Sequence, residues 1–355
     1  MIRIQNLYYM LAYAFQVLNE QGYKSLGTEA FDNTAELFAA ILCCGLKKQI
    51  KRGLVKEYIP QTEALSSLKG RIDIAESIKT QALLRKQLIC NYDEFSTDSY
   101  MNRVIKSTLL LLLSSDISKS RKKEIRKLLI FLQDVKQVDV YNINWNFHFN
   151  RNNQTYRMLI EVCRLTIKGL LQTQNDGSTK MMDFLDDQRM SHLYEKFILE
   201  YFRKHYPQLN PNPSPIKWQL EGEPDSMLPA MKTDIMLTKE QDQDVLIIDA
   251  KYYSKTTQEQ FGKHTLHSNN LYQVFTYVKN KEYELRGAPH RVSGLLLYAK
   301  TDEEIQPDND YLMSGNRISV KTLDLEGDFA SISNQLNYVA DSFLNSTECS
   351  RFTVS

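Results

Sequence analysis

Met231-Lys232-Thr233-Asp234-Ile235, followed by Val245-Leu246-Ile247-Ile248-Asp249-Ala250-Lys251-Tyr252-Tyr253, is the stretch whose reading decides the fold. It reads as two strands joined by a polar turn, with an acid at the end of each and a lysine two residues past the second acid. Side chains alternate along a strand, so Asp249 and Lys251 share one side while Ala250 points away. The apolar run Val245–Ile248 has the pattern of a central buried strand. An acid and a lysine buried at its end cost free energy unless something pairs with them, and a metal ion would do so. Asp234 precedes Asp249 by 15 positions (249 − 234), a spacing that lets one hairpin bring both carboxylates together. Two carboxylates and an ammonium at the rim of a sheet suit metal-assisted phosphodiester cleavage. An acid and a lysine two apart are equally what a salt-bridged strand end shows, and on this stretch alone the two readings stand level.

Outward from the strands, two helices add to the pattern. In Ser191–Phe202 an apolar stripe of Tyr194, Phe197, Ile198, Tyr201 and Phe202 leaves Glu195 at its border, able to lean over a sheet. In Leu271–Val278 the core stripe is Leu271, Val274, Phe275 and Val278, while Gln273 and Tyr277, four apart, share the other face. Each is singly as ordinary as a surface polar residue or a capping tyrosine. The elements in order are a helix over 187–205, strands over 216–220, 231–238 and 245–253, a helix over 268–280 and a strand over 292–299. That gives an αβββαβ core, a central mixed sheet flanked by helices. Pro207–Pro215, with four prolines, forms a stiff loop before the first strand.

The first half of the chain reads as mixed α/β. Helical spacing covers 7–20, 33–50 (with Asn33 as cap), 98–114, 119–134 and 155–171. Strand-like patterns cover 54–74, Leu88–Phe95 and Tyr141–Phe149. The polar stretch Gln172–Lys180 is the linker, so the expected domains are 1–178 and 179–355, an α+β or α/β organisation throughout. The basic clusters Lys47–Arg52 and Lys119–Lys127 read as a solvated helix end and face, or as contacts to acids or phosphates. Gly70-Arg71 reads as a tight turn or as a partner contact.

Whole-chain properties exclude several classes. In 355 residues, 42% are hydrophobic, 25% are charged and the net charge is +1, as in an ordinary globular protein without a polycationic surface. The five cysteines (Cys43, Cys44, Cys90, Cys163 and Cys349) are irregularly spaced and lack a CxxC pair, which argues against zinc and for reduced thiols. The N-terminus lacks a signal-peptide pattern, and the longest apolar block, Leu109–Leu113, is far short of the roughly 20 residues a membrane span needs. A cytoplasmic protein without membrane contact is expected. Of the six histidines, His192 and His267 fall near the proposed site, where they read as structural or phosphate-contacting rather than as metal ligands. No Walker-type GxxxxGK[ST] is present, which places any nucleotide hydrolysis on another chain.

Together and in this order, Glu195, Asp234, Asp249, Ala250, Lys251, Gln273 and Tyr277 resemble the restriction-endonuclease-like, or PD-(D/E)xK, superfamily, in its branch with Gln-x-x-x-Tyr on the helix after the lysine. The resemblance implies magnesium as cofactor, with manganese as a substitute. Asp234 and Asp249 would be metal ligands, Ala250 a ligand through its backbone carbonyl and Glu195 an auxiliary ligand. Asp234, Asp249 and Lys251 would form the catalytic set, Lys251 stabilising charge on the phosphate or orienting the attacking water. Gln273 and Tyr277 would hold the phosphate backbone and brace the site. Thr233 stands where the pattern has proline, a common relaxation. Ile4-Gln5-Asn6-Leu7-Tyr8-Tyr9-Met10-Leu11-Ala12-Tyr13-Ala14, Lys69–Ile72, Asn102–Thr108, Asp249–Tyr253 and His267–Gln273 are similar to segments of the McrC family, nuclease subunits of modified-cytosine-dependent restriction systems. That resemblance implies that 1–178 binds and activates a GTPase ring and that 179–355 cuts DNA. The implied partners are an McrB-like AAA+ GTPase hexamer, which binds the GTP, and double-stranded DNA with modified cytosine. Two rivals remain open: a non-catalytic activator of an NTPase ring, and a free-standing repair nuclease of the same fold.

Overall fold

Residues 244–250 are all buried, as the apolar run demands, and their strand lies inside a five-stranded sheet. The structure, a computed structural model, describes residues 2–17, 23–27, 29–151, 153–176, 187–222, 227–239, 244–253, 257–260, 263–301, 303 and 305–345. The chain divides into two units, one of Met1–Ala30 with Leu185–Ser355 and one of Phe31–Phe184. The expected division at 178/179 falls near the second boundary, but the first 30 residues belong with the C-terminal part.

The reason lies in the first helix, α1 (Ile4–Ala14), which is followed by the short α2 (Tyr23–Leu26). Asn6, Leu7, Tyr8 and every residue from Met10 to Ala14 are buried, so α1 needs a core around most of its circumference. Asn6 donates both amide hydrogens to main-chain carbonyls far along the chain, those of Leu325 (2.7 Å) and Gly327 (2.8 Å). Tyr9 stacks on Phe329 at 4.1 Å, and Tyr13 meets Phe197 edge-on. The helix is shorter than the expected 7–20. It stops at Phe15, Gln16 takes a left-handed φ of 57°, and residues 18–20 lie outside those described.

The unit of Phe31–Phe184 holds α3 (Thr34–Arg52), β1 (Glu57–Leu65), β2 (Arg71–Asp73), α4 (Ile74–Lys79), β3 (Leu88–Ser96), α5 (Tyr100–Leu113), α6 (Lys119–Leu129) and α7 (Tyr156–Asp176). Its sheet is antiparallel, in the order β1-β3-β2. Asn33 caps α3 by accepting the Glu36 N–H at 2.8 Å. Gly70 sits at φ 69°, and a Cβ there would come 2.4 Å from the Asn91 carbonyl oxygen, which supports the tight-turn reading of Gly70-Arg71. Parts of the two basic clusters are tied together by acids: Arg121 pairs with Glu36 (3.1 Å) and Glu124 (2.7 Å), and Lys47 also meets Glu124. The helix expected over 119–134 tightens into a 3₁₀ turn at Ile130–Leu132. Gln172–Asp176 continues α7 rather than starting a linker, and residues 177–180 lie outside those described.

The strand expected at Tyr141–Phe149 does not form. Its backbone is taken up locally: the Asn144 N–H goes to the Tyr100 hydroxyl (2.9 Å) and the Asn146 N–H to the Asn144 side chain (3.0 Å). Its aromatic rings pack on helices instead of a sheet, Phe147 against Tyr100 and Trp145 beneath Arg164.

The remaining elements are α8 (Asp187–His205), β4 (Pro215–Ile216), β5 (Met231–Lys232), β6 (Ile235–Lys239), β7 (Asp244–Lys251), β8 (Thr257–Gln260), β9 (Lys263–Leu266), α9 (Ser268–Glu284), β10 (Arg291–Ala299), β11 (Asn309–Met313), β12 (Asn316–Leu323) and α10 (Phe329–Asn345). The main sheet runs β11-β12-β10-β7-β6. β7, β10 and β12 are parallel, and β6 and β11 close the edges antiparallel, so the sheet is mixed as expected. Two expected strands change. The strand at 216–220 shrinks to Pro215–Ile216 outside the main sheet, because the Gln219 N–H goes to the Asn280 side chain. The strand at 231–238 breaks after Lys232, where the Thr233 N–H bonds the Ser214 carbonyl (3.0 Å) and the backbone passes from one sheet to the other. Beyond 299 the sequence reading named no element, and β11, β12 and α10 complete the unit. Among the described residues, no helix is long and apolar enough to cross a membrane.

Helix α9 packs on β7 and β10. At Gly294, on β10, a Cβ would stand 2.9 Å from Val274 Cγ2, 3.0 Å from Ile318 Cδ1 and 3.1 Å from Val278 Cγ2. The missing side chain lets the helix lie close against the sheet. Gly294→Ala should therefore destabilise the protein by about 1–3 kcal/mol through overpacking. Adding Val274→Ala should restore part of the loss, as urea unfolding would measure; additive losses would count against the close approach.

Candidate active site

The carboxyl end of β7 brings together Asp234, Asp249, Lys251 and Gln273 of the groups that the sequence marked. Asp249 is 1% exposed, and Lys251, two residues on, points to the same side. The Lys251 ammonium lies 2.9 Å from Asp249 Oδ2 as an ion pair, and it donates to Gln273 Oε1 at 3.4 Å. Asp234 sits at the corner between β5 and β6, and its Oδ2 accepts the Ala250 N–H at 2.9 Å, which fixes the first acid to the strand carrying the second. On α9, Gln273 Nε2 donates to the Tyr277 hydroxyl at 3.0 Å. Tyr277 is itself buried in the core beneath the helix, so it braces Gln273.

Glu195 stands further out on α8. Ser191 Oγ donates to it at 3.2 Å and His192 Nδ1 lies 3.8 Å away, yet its charge still acts on both aspartates. His267 precedes α9 with its ring 5.4 Å from that of Tyr253.

The electrostatics are those of crowded buried acids. Burial raises the Asp234 pKa first, and the charges of Asp249 and Glu195 push it further, to about 7. Asp249 is also raised by burial, against the pull of Lys251. For Lys251, burial opposes the charged form, but Asp249 and Asp234 outweigh it and hold the ammonium above its ordinary range. Both Asp249 oxygens are buried; Oδ2 has the Lys251 ion pair and Oδ1 has no hydrogen-bond partner. Buried carboxylate oxygens without a donor are a standing cost. A divalent cation would relieve it. The donors on hand are the oxygens of Asp234 and Asp249 with the Ala250 carbonyl, a hard set of the kind magnesium takes while keeping several waters. They fit the ion as an open two-carboxylate site. Among the described residues, no three acidic, histidine or cysteine side chains converge into a closed cluster.

A model of the McrBC 5-methylcytosine restriction system component family matches residues 3–299. The chain belongs to this family. It is the McrC family of the resemblance, and the match takes in α1 at one end and β10 at the other. A curated relative from Escherichia coli K12, the type IV methyl-directed restriction enzyme EcoKMcrBC, is 29% identical over 349 residues, covering 97% of this chain and 98% of its own. A solved structure, a refined half-complex from a tetradecameric assembly of Thermococcus gammatolerans McrB AAA+ hexamers with bound McrC, matches with a TM-score of 0.52 at 18% identity, over 95% of this chain and 75% of that one. At that identity the likeness speaks for the fold alone. The chain is thus a restriction-system component of the McrC family, with a mixed α/β fold.

The sequence reading missed three residues at this site: Asn270, Tyr253 and Tyr298. Asn270, 6% exposed, links the hydroxyls of both tyrosines. The Asp-Ala-Lys-Tyr-Tyr and Asn-Asn-Leu-Tyr-Gln segments contain two of them, but only the strand alternation past Lys251 could have drawn attention to Tyr253.

Because the Asp234 pKa in the folded chain lies above the value of about 4 for a free aspartate, the folded state binds the proton more tightly. This contribution to stability is complete below about pH 4 and is lost as pH rises toward about 7. In chelator, stability should fall between pH 5 and 7 by at most about 1.4 kcal/mol per pH unit from this group. Asp234→Asn should flatten that slope in urea titrations run at several pH values, and an unchanged slope would count against the raised acid.

Proposed function

We propose that this chain is the DNA-cutting subunit of a GTP-dependent, modified-cytosine-specific restriction complex. In this reading it is a Mg2+-dependent endodeoxyribonuclease of the PD-(D/E)xK type working in the cytoplasm. The observation that carries the reading is Asp249: a buried carboxylate compensated by the Lys251 ion pair at one oxygen alone, beside a second buried acid at the end of a central strand.

Asp234, Asp249 and the Ala250 carbonyl would hold the ion, with Glu195 as an auxiliary ligand. When bound, magnesium (or manganese in its place) supplies Lewis-acid stabilisation of the phosphate and a more acidic water. The residues themselves do the positioning. Lys251 keeps its proton at working pH, because the two aspartates raise its pKa. Its part is therefore a fixed positive charge where negative charge grows on the phosphate, rather than a general base. Gln273 holds Lys251 in place and Tyr277 holds Gln273, so the pair keeps the ammonium and the phosphate backbone in register.

The partner follows from the family and from the relatives. The Thermococcus assembly pairs McrB AAA+ hexamers with McrC, and the Escherichia coli relative is methyl-directed. By that likeness the partner is an McrB-like AAA+ GTPase hexamer, which binds the GTP, and the substrate is double-stranded DNA with modified cytosine. The unit of Phe31–Phe184 binds the ring and stimulates its GTPase, while the unit containing β7 cuts. The near-neutral charge of the chain agrees with leaving base recognition to the partner.

In the assembled complex with GTP, Mg2+ and 5-methylcytosine-containing duplex, Asp234→Ala, Asp249→Ala and Lys251→Ala should each lower cleavage by at least about a hundredfold. Stimulation of the ring GTPase should persist in all three. Normal cutting by all three variants would leave the chain as a non-catalytic activator. Cutting by the isolated chain without ring or GTP would make it a free-standing nuclease.

A further inference from the structure

A second group of side chains sits against the Lys251 end of β7. Tyr253 lies two positions past Lys251, beyond the end of the strand, and is 36% exposed. Its hydroxyl donates to Asn270 Oδ1 at 3.4 Å. Asn270 Nδ2 in turn donates to the hydroxyl of Tyr298 at 2.9 Å. Tyr298 is fully buried on β10, directly opposite Lys251 in the parallel register. The Tyr253 ring is flanked by those of His267 (5.4 Å) and Tyr298 (6.3 Å). Tyr253 therefore has a fixed ring and an accessible edge.

Two features set this network apart from ordinary packing. Burying an amide costs free energy unless both its ends are bonded, and Asn270 achieves this only through the two phenols. The bond from Tyr253 is also long, since O–H···O bonds cluster near 2.7–2.8 Å. Such a weak bond is readily exchanged for one to a stronger acceptor. The same face of α9 holds Lys251 through Gln273, three residues after Asn270, so the helix sets the phenol and the ammonium as one unit.

We infer that Tyr253 is a substrate-contacting residue, whose hydroxyl donates to a phosphate oxygen of the DNA strand held beside Lys251, and that Asn270 is its positioning residue. The inference rests on the nuclease reading above and adds a contact to it. A phosphate oxygen carries negative charge and accepts a shorter, stronger bond than the neutral amide. When DNA enters, the hydroxyl hydrogen turns to the phosphate and the Asn270 amide turns over, so that its Nδ2 donates to the Tyr253 phenol oxygen and its Oδ1 accepts from Tyr298; no bond to carbon or phosphorus changes at the tyrosine.

The test uses the full chain assembled with its ring partner, GTP, Mg2+ and a 5-methylcytosine-containing duplex. Tyr253→Phe removes one hydroxyl and keeps the ring; it leaves Asn270 Oδ1 without its donor, so it should melt somewhat below wild type and still assemble with the ring partner. At saturating DNA it should cut roughly ten- to a hundredfold more slowly, the worth of a hydrogen bond to a charged group. Asn270→Ala should show a similar fall, and the double variant should fall no further than the slower single variant. A purely structural role predicts a lowered melting temperature with the cutting rate of the folded complex unchanged. With Asp249→Ala inactive as control, Tyr253→Phe cutting within twofold of wild type would overturn this inference alone, as would multiplying losses. Full cutting by Asp249→Ala would overturn the nuclease reading and this contact with it.

Discussion

A carboxylate removed from water must meet a proton, a donor or a cation, and Asp249 meets only the partial compensation of Lys251. The arrangement around β7 follows from that demand. Asp234 is held over the strand by the Ala250 N–H, which adds negative charge where there is already too much. Lys251 is pinned between Asp249 and Gln273, and Gln273 is pinned by a buried tyrosine. A fold that kept such groups for stability alone would gain by replacing them with packed apolar residues. Buried acids with raised pKa values beside a specific charge partner are the mark of a candidate functional site.

The geometry depends as much on what is small as on what is charged. Gly294 lets α9 settle on the parallel strands β7 and β10, and the settled helix presents Asn270, Gln273 and Tyr277 along one face. A wider gap would carry the amides away from Lys251 and Tyr253. The apolar contacts of Val274 and Val278 thus set hydrogen-bond lengths at the site.

Much of this was legible in the sequence because it is local. Val245–Ile248 read as a buried strand, 187–205 and 268–280 as helices (the second running on to Glu284), and the spacing of Asp234 and Asp249 as a hairpin, since each is written in neighbouring residues. What remained hidden is set by distant partners. The break after Lys232 depends on Ser214, and the loss of the strand at Tyr141–Phe149 depends on Tyr100 and Arg164. Asn270 drew no reading of its own, because its partners Tyr253 and Tyr298 come from two different strand ends. The membership of α1 could not be read at all: a helix that is apolar around most of its surface states that it is buried, without saying against what.

That membership has a consequence for synthesis. As the chain is made, α1 precedes the unit of Phe31–Phe184, while Phe197, Leu325 and Phe329, which complete its surroundings, follow that unit. Closing so long a loop carries an entropic penalty that only the finished core can offset. The last of the core around α1 is therefore completed by residues from the far end of the unit that carries β7.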